Sequence, residues 1–150
     1  PLYSSAASDV YKRQVAMNAV GILSNAMGGL VSDRAGEKAV VLSSLTAMIP
    51  ASYLLVVAGD QIAIWTLVLV FGWFLNFARA PMFAILPRLY GVQRAGSTSG
   101  YQNTFASTGA LALPFILGYV RDCTASFDVG WISLALFCGA ASVMTLFLKS

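Results

Sequence analysis

Hydrophobic and polar positions fall into long blocks along this chain rather than alternating residue by residue. From Val15 onward five apolar segments, 15–31, 39–58, 62–86, 98–120 and 129–148, are separated by short polar stretches. A helix needs about twenty apolar residues to cross the hydrocarbon core of a bilayer, and most of these segments are near that length. No water reaches backbone N–H and C=O groups there, so spanning segments of this kind must be helices packed as a bundle. The expected fold is all-α: a multi-pass transmembrane bundle of about five membrane helices.

The pattern inside the segments adds detail. In the first, Asn18, Gly21, Asn25 and Gly28 recur at helical spacing, which places small and polar groups on one face. Such a face packs closely against a neighbouring helix or lines a cavity. Pro50, near the middle of the second segment, removes a backbone hydrogen bond and predicts a kink. Gly59-Asp60-Gln61 is so short a turn that the second and third segments must be antiparallel neighbours. The third segment carries Asn76, Arg79 and Pro81 inside it, and the fourth begins with a polar half that includes Asn103 and Ser107.

Composition agrees with the bilayer reading. The chain is 58% hydrophobic and only 10% charged, against about 25% charged in soluble domains, and its mean hydropathy is +0.76. It has no histidine, which removes the commonest metal ligand and proton shuttle. The net charge is +3, but no face is crowded with Lys and Arg, so no nucleic-acid partner is expected. Cys123 and Cys138 form neither a disulfide framework nor a metal-binding spacing. Residues 1–14 read as a non-native leader, since Asp9 to Gln14 resembles the translated end of a sequencing-library adapter. On that reading the transmembrane domain is 15–150 and belongs to a longer chain.

The basic residues give an orientation. Arg34, Lys38, Arg88, Arg94 and Lys149 fall in alternate loops on one side, and Arg121 stands alone on the other with Asp60, Asp122 and Asp128. The positive-inside rule then places loops 32–38 and 87–97 in the cytoplasm of a cell-membrane protein. The densest charge lies in the first of these loops. Gly28-Gly29-Leu30-Val31-Ser32-Asp33-Arg34-Ala35-Gly36-Glu37-Lys38 packs four charges and three glycines into eleven residues. Gly28 and Gly29 permit close helix approach. Gly36 permits a positive φ for a sharp turn. Asp33 can face the positive end of a helix or pair with Arg34 or Lys38.

Set between two membrane helices, this stretch resembles the signature loop of the major facilitator superfamily, Gly-x-Leu-x-x-Asp-Arg-x-Gly-x-Lys/Arg. Gly28, Gly29, Leu30, Asp33, Arg34, Gly36 and Lys38 match it, while Glu37 stands where a basic residue is common. The resemblance implies that Gly28, Gly29, Asp33, Arg34, Gly36 and Lys38 form a conformational latch, released as two halves of a transporter rock. The family carries the loop twice. The run from Arg94 through Gly109, Pro114 and Tyr119 to Phe127 resembles the eleventh helix and its exit loop. The antiporter signature of the fifth helix fits less well, because Leu113 precedes Pro114 and only Gly118 follows. The resemblance thus implies that the five segments correspond to helices eight to twelve, the C-terminal half, rather than to two to six. The implied partners are a small solute, the lipid bilayer and the other half of the transporter, with no cofactor. A half alone is expected to be inactive.

Arg79 is the sharpest candidate for solute contact. It lies nine residues before Arg88, or about 13 Å along a helix. Charge inside a span is rare and usually faces the bundle or a water-filled cavity. Gly72, Asn76, Arg79 and Phe83 share a face, which would give an anion site with a carboxamide beside it. Snorkelling of Arg79 to the cytoplasm, or a bond from it to a backbone carbonyl near the Pro81 break, is the other reading. Asn103 and Ser107 share a face that either lines the pathway or bonds between helices. An intramembrane enzyme is not expected, since the segments hold no histidine, carboxylate or paired catalytic motif. A channel or a non-transporting membrane scaffold remains the alternative, though no pore-lining repeat is visible.

Overall fold

The computed structural model describes residues 2–148, with the side chains of Tyr11 and of 14–148. Helices α1 (Leu2–Ala35), α2 (Glu37–Val57), α3 (Gln61–Phe77), α4 (Arg79–Tyr90), α5 (Ala95–Thr124) and α6 (Asp128–Phe147) follow one another, with a 3₁₀ turn at Val92–Arg94. No strand occurs among the described residues. Five stretches are long and apolar enough to cross a membrane: Gln14–Ala35, Glu37–Val57, Gln61–Tyr90, Val92–Thr124 and Asp128–Phe147.

The third apolar segment is not one uninterrupted helix, as the sequence suggests, but two helices meeting at Ala78. Pro81 is the physical reason. It has no N–H to give to the carbonyl four residues earlier, at Phe77. The second segment behaves differently, since α2 stays helical through Pro50. The polar stretches are also shorter than their sequences suggest. Residues 32–35 end α1, 87–90 end α4, 95–97 open α5 and 121–124 close it. Asp33, Glu37, Asp122 and Asp128 accordingly sit within the end turns of helices. The helical backbone of α1 also continues through residues 2–14 without a break at Val15.

What remains between helices is compact. Gly36 alone joins α1 to α2, at φ +86°. Gly91 follows α4 at the same φ. Ala125 ends α5 in the left-handed region, where its N–H donates to Arg121 O at 2.7 Å and caps the helix.

Helix α2 is the centre of the bundle. It packs most extensively on α6 and also touches α1, α3 and α4. Its buried stripe holds Val40, Val41, Ser44, Met48, Ser52 and Leu55, with Ala51 beside them. Facing it on α6, Cys138, Ser142 and Thr145 are buried at i, i+4 and i+7. On α6 the buried side chains are small, and on α2 small and large ones alternate along the stripe. Each buried hydroxyl in this interface bonds a carbonyl of its own helix: Ser44 to Val40, Ser52 to Met48, Ser142 to Cys138 and Thr145 to Ala141. Helix α5 is peripheral, with no buried residue, and touches α4, the 3₁₀ turn and α6.

Candidate functional site

The loop singled out by its charge closes one end of the bundle. With a single residue between α1 and α2, the first turn of α2 is thrown against the ends of two other helices. Glu37 and Lys38 reach in different directions from that turn. Glu37 Oε1 lies 2.5 Å from Arg88 Nη1 in the last turn of α4. The Glu37 side chain is 12% exposed and that of Arg88 65%. The two atoms are close but not aligned for a hydrogen bond, so the contact is one of charge. Lys38 Nζ donates to Leu146 O at 3.0 Å and to Leu148 O at 2.5 Å. The last carbonyls of a helix have no donor within it, and a cation there also opposes the negative end of its dipole. Glu37 has the converse position, a carboxylate at the positive end of α2.

Asp33 and Arg34, in the last turn of α1, are exposed. Among the described residues neither makes a hydrogen bond or an ion pair. The contacts of Glu37 and Lys38 gather 33–38, the end of α4 and the end of α6 at one end of the bundle, so Arg34, Lys38, Arg88 and Arg94 share that end. Lys149 lies outside the described residues. An open groove of about 660 Å³ runs between these helix ends, with Gly36, Lys38, Leu42, Ile85, Arg88 and Leu148 among its walls.

Further into the bundle, α1 crosses the break between α3 and α4. The Phe77 carbonyl, left without a helical donor by Pro81, lies directly on Gly28. A Cβ at Gly28 would overlap that oxygen and come within 2.8 Å of the carbonyl carbon. One turn earlier the Ser24 hydroxyl, fully buried, donates to Trp73 O. Gly21 lies against the Asn76 amide, with 3.3 Å from a Cβ to Nδ2. The packed stripe of α1 is thus Gly21, Ser24 and Gly28, whereas Asn18 is exposed and Asn25 half-buried. Gly29 meets only the Ala80 methyl, at an ordinary 3.7 Å from a Cβ.

No family model, curated protein or solved structure matches the chain. The loop and its contacts therefore carry the functional reading on their own.

The four solute-contact candidates have separate surroundings. Asn76 Nδ2 donates to Gly72 O at 2.8 Å within its own helix. Arg79 is exposed at the first position of α4, one residue past the break. Asn103 and Ser107 are exposed on α5. No hydrogen bond or ion pair joins the four to one another, and Arg79, Asn103 and Ser107 have none among the described residues. Beside them, Gln102 Nε2 ties α5 to α4 through Met82 O at 3.0 Å.

Sequence reasoning missed Ser24 and the Glu37–Arg88 pair. Ser24 was within reach of the spacing argument, since it lies three residues after Gly21 and four before Gly28. Glu37 was visible as the loop's one departure from the pattern it resembles. Its partner was not, because Arg88 is 51 residues further on.

Proposed function

We propose that the chain forms one half of a secondary active transporter in the cell membrane, moving a small solute by alternating access in the manner of the major facilitator superfamily. The observation that carries this reading is the Gly28–Lys38 stretch, which ends one helix of membrane-spanning length and opens the next, with Gly36 at positive φ between them. Binding near the midplane between two halves, exposed alternately to each side, is the general scheme of such transporters.

Glu37 and Lys38 tie the ends of α4 and α6 to the start of α2, so in this reading the half rocks as a unit. Asp33 and Arg34, unpaired at the surface, are the groups free to make and break contact with the other half. Loops 32–38 and 87–97 are cytoplasmic. Arg79, exposed beside the Ala78 break, is the group for an anionic solute, with Asn76, Asn103 and Ser107 lining the pathway. The experiment is flux into proteoliposomes holding the complete protein. Saturable uptake with counterflow is expected. Non-saturating flux would point to a channel, and no flux for any of a broad panel of solutes to a scaffold.

A further inference from the structure

The groove at the charged end is built from the start of α2, the last turns of α4 and the end of α6. These are the ends of three stretches long enough to cross a membrane. In a bilayer the groove therefore opens where hydrocarbon gives way to headgroups. Its walls divide by chemistry: Leu42, Ile85, Leu89 and Leu148 are apolar, and Lys38, Glu37 and Arg88 are charged. The end as a whole carries Arg34, Lys38, Arg88 and Arg94 against Asp33 and Glu37, so it is net positive.

We infer that this groove seats an anionic phospholipid, its phosphate on Arg88 and an acyl chain along Leu42, Ile85, Leu89 and Leu148. Charge complementarity selects the occupant. Basic pockets between membrane helices at the cytoplasmic side attract anionic headgroups. Glu37 is the one acidic group in the groove, but at 12% exposure it is covered, whereas Arg88 is 65% exposed. A headgroup at the mouth therefore meets the guanidinium first. Arg88 faces Glu37 through Nη1 alone, and at 65% exposure the rest of its guanidinium is open to the bidentate contact with phosphate that this group favours. Lys38 adds a fixed point charge, held by the α6 carbonyls. A lipid in this position would bridge the same three helix ends that Glu37 and Lys38 join.

The inference rests on the membrane reading above, and its test separates the two. The purified, delipidated protein is titrated with phosphatidylglycerol, phosphatidylcholine, phosphatidylethanolamine and inorganic phosphate, and bound molecules are counted by native mass spectrometry. Phosphatidylglycerol is expected to bind about fivefold more tightly than phosphatidylcholine, the weight of one basic side chain at a membrane surface. Arg88→Gln should erase that preference, and Arg121→Gln, at the opposite end, should leave it intact, with helix content by circular dichroism unchanged in both. Equal binding of all lipids, a preference for phosphatidylethanolamine, a preference that survives Arg88→Gln, or comparable binding of inorganic phosphate alone would overturn the lipid seat. Extraction of the protein from vesicles by alkaline carbonate would instead overturn the membrane reading. Retention without headgroup preference overturns the seat alone.

Discussion

Gly28 and Gly29 are neighbours in sequence with different surroundings. Gly28 has the Phe77 backbone against its Cα, and Gly29 has open contact with a methyl group. Gly28→Ala must push two helices apart, at a cost of about 1–3 kcal/mol for overpacking. Gly29→Ala should stay within about 0.5 kcal/mol of the parent. Unfolding in detergent, followed by helix content, checks both variants side by side; equal effects would mean that Gly28 is not the crossing point. The conformational need at Gly36 was legible in the sequence, because a glycine inside a short charged stretch between apolar blocks permits the positive φ of a sharp turn; that this one residue is the whole connection was not. The need at Gly28 was only half legible. The sequence pointed to close approach, but the carbonyl that approaches belongs to a helix broken by a proline 53 residues away. If the solute is anionic, Arg79→Ala should abolish its uptake by the complete protein while leaving membrane expression intact. Unchanged transport would remove Arg79 from the site.

Among whole elements, the number of membrane-length stretches could be read from the blocks of apolar residues, and their ends could not. Charged and polar residues near a membrane boundary can keep helical hydrogen bonds, so composition changes before the helix stops. Arg88 and Tyr90 within α4, and Arg121 to Thr124 within α5, are cases of this. The break at Ala78 was obscured for another reason. Pro81 removes a bond to the preceding turn, so the interruption appears three residues before the proline itself. Pro50 shows that a proline alone does not force such a break. The end of α6 depends on a residue from another helix. Lys38→Met removes both of its bonds to Leu146 O and Leu148 O. For an exposed contact this is about 1 kcal/mol, or roughly fivefold faster amide exchange in the last turn of α6. Exchange along α5 should not change. Uniform acceleration through all helices would indicate global destabilisation and contradict the local cap.

For the molecule as a whole, the outward surface is the informative feature. Leu111, Phe115 and Tyr119 line one face of α5, and Leu136, Phe137 and Met144 lie outward on α6, all at least 70% exposed. A soluble monomer rarely shows apolar patches of this extent, whereas lipid covers them without cost. Among the described residues the largest fully buried side chains are Pro81 and three serines, Ser24, Ser44 and Ser52. Charge is divided between the ends: Arg34, Lys38, Arg88 and Arg94 with Asp33 and Glu37 at one, and Asp60, Asp122 and Asp128 with Arg121 at the other. If this bundle crosses the membrane as proposed, the first group lies inside. Labelling with a membrane-impermeant maleimide in intact cells reads this sidedness. Native Cys123, exposed near the end of α5, serves as one probe. Asp60→Cys and Gln93→Cys, each in a Cys123→Ser background, supply the others. Cys123 and Asp60→Cys are expected to react from outside, while Gln93→Cys reacts only after permeabilisation. Labelling of Gln93→Cys in intact cells, or of all three positions from the same side, would contradict it.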